Sequence, residues 1–244
     1  MTFRLRTASV EGVLGSGSER LRAGIWRGDE RTAYLAPFPG ASPPSVPFVS
    51  RCLGELSDKG FLSVVTAALA PSESHAFVAL DFEEHEHLRL LTHDLDHLPP
   101  LTSRPGLRRV HGRDRTEVLA VDAASFPPFW QLDEVGLRQA VAATPTARLR
   151  MITPNDSGTV AGYAITGRAG RDGYVQRLAV RPPDQGRGLG RHLALDGLHW
   201  LRRRRVRRAI VNTQTGNRGA LSFYRHLGFR FAPSDLVVFR RDLT

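Results

Sequence analysis

The chain has 244 residues, 41% of them hydrophobic, which allows one large domain or two small ones with a sizeable core. Its formal net charge of +10 and pI near 11.1 suit polyanionic partners. Lys59 is the only lysine, however, so a bias towards arginine accounts for the charge as well as a selected nucleic-acid face would. The single cysteine, Cys52, excludes an internal disulfide and points to a reducing cytoplasm. No apolar run approaches the roughly 18 residues of a membrane span, and no apolar signal segment follows Arg4 and Arg6.

In chain order, Val10–Leu14, Arg22–Trp26 and Thr32–Ala36 read as strands, and the proline-rich stretch 37–47 reads as a loop. Val49, Cys52, Leu53 and Leu56 fall at i, i+3, i+4 and i+7 and predict a helix. A strand over 61–67, a helix over 73–80 and a strand over 88–91 follow. The run from Glu83 to His97 carries His85, His87, His93 and His97 among acidic residues. It matches no zinc spacing and reads as a solvated hairpin without metal. Residues 96–105 contain three prolines and read as a linker.

After that linker come a strand over 106–111, a helix over 114–124, the aromatic-proline loop Phe126–Trp130 and a helix over 133–143 capped by Asp133. Strands are expected over 147–153, 159–166 and 173–180, with turns at 155–158 and 170–173. A helix beginning at Leu189 places Leu189, Leu193 and Trp200 on one stripe and ends in Arg202–Arg205, charges that suit the negative end of its dipole. A strand over 209–213, a helix over 220–227 closed by Gly228, and a strand over 236–239 complete the chain.

The halves echo each other at an offset of 147. Val64 meets Val211, Thr66 meets Thr213, Phe77 meets Tyr224, Leu80 meets Leu227 and Phe82 meets Phe229, in the same order of helix, strand, helix and strand. The differences fall on the polar positions. The glycine-rich Gln185–Gly190 meets Phe38–Pro43, and Asn217 meets Ala70.

Gln185-Gly186-Arg187-Gly188-Leu189-Gly190 lies between a strand and a helix, where a glycine-rich turn aims backbone N–H groups outward and can hold phosphate. Val180-Arg181-Pro182-Pro183 precedes it, and Asn217-Arg218-Gly219-Ala220 runs on to Phe223-Tyr224 and Gly228-Phe229 after it. Over roughly 106–244 these three motifs, in this order, resemble the GNAT superfamily of acyl-CoA-dependent N-acyltransferases. The resemblance implies an α/β (α+β) protein with a mixed, mostly antiparallel sheet flanked by helices, preceded by a partial GNAT-like repeat. It implies a degenerate, truncated unit over 1–98, a linker over 99–105 and a catalytic domain over 106–244.

The same resemblance implies transfer of the acetyl group of acetyl-CoA to a primary amine, of a small molecule or a protein N-terminus. Direct attack in a ternary complex is expected, because no cysteine lies near these motifs. The backbone of Gly186, Arg187, Gly188, Leu189, Gly190 and Arg191, with Gln185, would hold the pyrophosphate. Leu178, Ala179 and Val180 would pair with the pantetheine arm, and Asn217 would touch it. Tyr224 would protonate the leaving thiolate, although its place on an apolar stripe also fits a core aromatic. Phe126, Phe129 and Trp130 would line the acceptor pocket or simply cover the sheet. Gln176 stands where many members carry a glutamate base, which leaves water, a backbone carbonyl, Asp133 or Glu134. That substitution keeps open a non-catalytic acyl-CoA sensor, beside a basic nucleic-acid module. The reading places the protein in the cytoplasm, needs no membrane and leaves monomer and homodimer open.

Overall fold

The computed structural model describes residues 12–27, 29–38, 40–101, 106–154 and 158–243. In chain order these form β1 (Gly12–Ser16), β2 (Glu19–Trp26), β3 (Asp29–Pro37), α1 (Val46–Asp58), β4 (Ser63–Thr66), α2 (Pro71–Val78) and β5 (Glu83–His93). There follow β6 (Leu107–Arg109), α3 (Arg115–Ser125), α4 (Glu134–Ala142), β7 (Thr146–Ile152), β8 (Gly162–Ala169) and β9 (Asp172–Val180). The last are α5 (Leu189–Arg203), β10 (Arg208–Gln214), α6 (Arg218–His226), β11 (Arg230–Phe231) and β12 (Leu236–Asp242). The protein is thus mixed α/β with mostly antiparallel strand pairs, and among the described residues no helix is long and apolar enough to cross a membrane.

Contacts divide the chain into two compact units that interleave in sequence, where the sequence reading places a single boundary at 99–105. The first unit takes residues 1–90, 213–218 and 232–244. Its strands run β1-β2-β3-β4-β12-β5. β3 and β4 are parallel, joined through α1, while β12 lies antiparallel to both β4 and β5. α1 buries Phe48, Val49, Cys52, Leu53 and Leu56, and these pack with Leu21, Leu35, Val64 and Phe77.

The second unit takes residues 91–212 and 219–231. Its strands run β10-β9-β8-β7-β6, and β11 pairs with the end of β5 at Leu91 and Thr92. α5 packs on β7, β8 and β9, and α3 and α4 also pack on these strands. Core groups form on both sets of helices. Leu195, Leu198 and Leu201 of α5 join one, and Val118, Val121 and Leu137 of α3 and α4 join another.

The internal echo is architectural. β3-α1-β4-α2-β5 repeats as β9-α5-β10-α6 followed by β11 and β12, with a parallel β-α-β core in each unit. Several expectations are corrected. The charged run from Glu83 is a strand, not a solvated hairpin. Glu83, Glu84, His85 and His87 are exposed, while Leu88, Leu91 and His93 turn inward and supply the burial that holds β5. α1 begins at Val46 inside the expected loop, because Ser45 accepts the Phe48 N–H and Pro47 fits the first turn. The expected linker is packed at its start. Leu98 is buried, as is Leu95 just before the linker, and the Pro99 carbonyl accepts from His199 Nε2 at 2.8 Å. Residues 102–105, the head of the 155–158 turn and the start of the 10–14 strand lie outside the described residues.

Candidate active site

The site is built at the C-terminal end of β9. β8 pairs with β9 from Ala169↔Asp172 to Gly162↔Val180. On the opposite edge the parallel register with β10 covers only Asp172, Gly173 and Tyr174. The two strands therefore part, and β9 runs on to Val180 without registered pairing on that side. Arg181 N–H donates to Ala161 O on the β8 side at 2.8 Å. Strand alternation then turns the backbone groups of Leu178 and Val180 to the unpaired edge, while those of Ala179 face β8. In the first unit the equivalent strands do not part: β3 and β4 pair from Thr32 to Leu35, and Ala67 N–H adds a bond to Leu35 O at 2.7 Å.

Past Val180, residues Pro182–Asp184 make a 3-10 turn and the chain enters α5 through Gly186 and Gly188. Both glycines have φ of +75°, a left-handed conformation that costs an L-residue roughly 1–2 kcal/mol. A Cβ at Gly186 would meet nothing within 4 Å, so the protein itself does not fill this space. Gly188 caps α5 with no side-chain hydrogen bond, and the first turn carries no acidic residue. The N-terminal donors of α5 thus face outward without a carboxylate, an anion-binding arrangement. The turn is fixed from beneath. Buried Asp184 accepts from Arg181 Nε at 2.9 Å and from Arg187 at 2.8 Å, and Gln185 Nε2 donates to Val180 O at 3.0 Å. Arg191 is exposed in the first turn, and Leu189 is buried, so its side chain anchors the helix.

The matching helix start in the first unit is closed. There Ser45 caps Phe48, and Glu19 places a carboxylate oxygen on the Ser45 N–H. The chain's own acid sits where the second unit leaves donors open.

α6 reaches the turn through Phe223, whose ring lies 3.7 Å from the position of a Cβ on Gly190. Its neighbour Tyr224 is buried against Phe223 and Phe229, with ring centroids 5.1 and 5.4 Å away. Burial raises the Tyr224 hydroxyl well above the ordinary tyrosine pKa, so it stays protonated at neutral pH. That hydroxyl takes no hydrogen bond among the described residues. Asn217 is exposed just before α6, in the 213–218 segment of the first unit, with its N–H on Gln214 O at 3.0 Å.

The aromatic loop is tied to the same strand. Arg177 of β9 donates to Trp130 O at 2.6 Å and to both oxygens of Asp122 at 2.8 and 2.9 Å. Its guanidinium stacks 3.5 Å above Phe126. Asp122 is wholly buried and also accepts from the Leu132 N–H and the Tyr163 hydroxyl. Ser125 Oγ reaches Val180 O at 3.2 Å, and Phe129 and Trp130 stack edge to face. Phe126, Phe129 and Trp130 are half-buried beside the end of β9.

The expected bases are engaged elsewhere. Asp133 caps α4 through Gly136 N–H at 2.6 Å, and Glu134 lies beside Arg115 and Arg138. Gln176 donates to Ala140 O at 3.0 Å, and its Oε1 is buried without a partner. The sequence reading missed Asp122, Arg177, Ser125 and Asp184. One signal for Asp122 was available, a carboxylate next to Val121 on the buried face of α3. Asp184 stands three residues from both Arg181 and Arg187.

Residues 116–229 match the model of the Acetyltransferase (GNAT) family. A mycothiol acetyltransferase of a Nocardioides species is 30% identical over 205 residues, 72% of this chain and 66% of its own length. Another, from Rhodococcus opacus, is 35% identical over 158 residues, 59% of this chain and 52% of its own. The chain thus spans between about half and two thirds of these relatives. Among solved structures, a tandem GNAT protein from the clavulanic acid biosynthesis pathway superimposes with a TM-score of 0.67 at 16% identity, covering 93% of this chain and 79% of that one. That likeness establishes the fold, including its partial repeat. Residues 116–229 of this chain belong to the GNAT acetyltransferase family.

Proposed function

We propose that the protein moves the acetyl group of acetyl-CoA to a primary amine by direct attack in a ternary complex, with the chemistry confined to the 106–244 half. The first unit, to which residues 1–90 belong, has lost its own cofactor site, and the protein works in the cytoplasm. The observation that carries this reading is the parting of β9 from β10 directly before an anion-binding helix start. An extended pantetheine arm would pair with Leu178 and Val180 as an added strand, leaving the pyrophosphate on the N–H groups of Gly186 to Arg191. Asn217 would contact the arm, and Phe126, Phe129 and Trp130 would face the acceptor.

In the transfer itself the neutral amine attacks the thioester carbonyl. A C–N bond forms, the C–S bond breaks, and the ammonium proton leaves to solvent. A free N–H on the unpaired edge of β9 would polarise the carbonyl oxygen. Tyr224, kept protonated by burial, would give its proton to the leaving thiolate and recover it from water. No side-chain base is required where the amine arrives neutral, which fits a site whose Gln176 cannot accept a proton as a base.

The test is release of free CoA thiol across a panel of amines. Relatives named mycothiol acetyltransferase make their acceptor the first member, and peptides with free N-termini form the second arm. Turnover in either arm supports the proposal and selects the acceptor class. Tight acetyl-CoA binding with no turnover of any amine would instead make the protein an acyl-CoA sensor.

A further inference from the structure

A cavity lies in the 91–212 unit on the far edge of its strands from β9. Open on one side to solvent, it offers about 580 Å³, the size of a site for a small organic molecule. β6 is only three residues long and pairs with β7 at Arg150, Met151 and Ile152, so Thr146–Arg148 form an uncovered edge around which the cavity wraps. Arg109, Arg115, Arg138, Arg148 and Arg150 line it. Its apolar walls are Val110, Leu137, Val141, Leu149 and the ring of Trp200.

The charge around this cavity is poorly matched. Arg148 and Arg150 share one buried carboxylate, Asp196, at 3.1 and 3.2 Å. Glu134 stands 3.8 Å from Arg115 and 3.6 Å from Arg138, beyond close hydrogen-bond range, and Arg109 has no ion pair among the described residues. Burial, and then the like charges of Arg150 and Arg203, pull the Arg148 pKa down against the raising effect of Asp196. Its guanidinium lies over Trp200 at 5.6 Å. Five guanidinium groups against two carboxylates repel cations and leave unmet demand for negative charge. The walls would at the same time cover an apolar body.

We propose that this cavity is a second ligand site, separate from the acetyl-CoA site, for a small organic anion. Its ligand carries an acidic head (carboxylate, sulfonate or phosphate) held by Arg148, Arg150 and the rim arginines, and an apolar body laid on Trp200, on the α5 face of β7. The proposal does not depend on the acetyltransferase reading.

The fluorescent sulfonate 8-anilino-1-naphthalenesulfonate has both parts and serves as the probe, titrated into the full chain first without acetyl-CoA and then with acetyl-CoA at saturation. Saturable one-to-one binding that weakens with added salt is expected. The rim double variant Arg109→Gln/Arg138→Gln should weaken it by roughly tenfold, because each lost contact is a charge-assisted one. These rim side chains are exposed, so the variant keeps the fold even where Arg148→Gln, which strips a partner from buried Asp196, does not. Absence of saturable binding overturns the proposal, as does affinity unchanged in the rim variant. Displacement of the probe by acetyl-CoA would place the probe in the first site and overturn it as well.

Discussion

Tyr224 has the clearest division between its two roles. As a core aromatic it would lose little on conversion to phenylalanine, since its contacts are those of its ring. As the acid it would lose the proton donor. Tyr224→Phe is therefore expected to keep the melting temperature and acetyl-CoA affinity and to lower kcat by about 10²–10⁴-fold. Unchanged kcat in steady-state assays would remove Tyr224 from the mechanism. Asp122 has the opposite character. Fully buried and bonded to Arg177, Tyr163 and Leu132, it holds the aromatic loop against β9. Asp122→Ala leaves Arg177 without its partner, and about 3–5 kcal/mol of stability should be lost in urea unfolding. The sequence shows Tyr224 through its motif, but not this pair. Asp122 and Arg177 stand 55 positions apart, and only the fold brings them together.

At the scale of elements, the turn from β9 into α5 was legible because its chemistry is local. Two left-handed positions separated by one residue demand glycine at 186 and 188, and α5 starts directly after the second of them. Gly188→Ala should weaken acetyl-CoA binding and cost roughly 1–2 kcal/mol of stability from backbone strain alone. Equal affinity in calorimetry would argue that the helix start does not hold the pyrophosphate. The loss of the counterpart in the first unit was also legible, from Phe38–Pro43. That Glu19 supplies a carboxylate to the start of α1 was not, because its strand, β2, lies 26 residues before Ser45. The exchange of last strands was hidden for the same reason. β12 pairs with β4 and β5, and β11 pairs with the end of β5, so the ends of the two repeats are read only from long-range register.

For the whole molecule, buried titratable groups set the pH range of stability. Cys52 is 1% exposed, and burial pushes its thiol up to about 12 from an ordinary 9.0; burial raises Tyr34, Tyr163 and Tyr224 above 10.0 too. The unfolded chain therefore releases these protons first, and stability should fall as pH rises above about 9. On the acid side, buried His93 accepts from the Leu95 N–H and donates to Leu227 O, which pins it neutral, and burial lowers its pKa below 6.5. The unfolded state takes up that proton first, so stability is kept above about pH 6.5 and falls as pH drops below it. Denaturant midpoints across pH 5 to 11 should trace a plateau between these limbs. A flat profile at either end would contradict the burial of these groups.

The two-unit organisation makes one quantity decisive. Only one of the two matching helix starts, that of α5, has open donors beside a parted strand pair, while the start of α1 is closed by Ser45 and Glu19. Calorimetric titration of the full chain with acetyl-CoA should give one site per chain. Two sites, or none, would contradict the account.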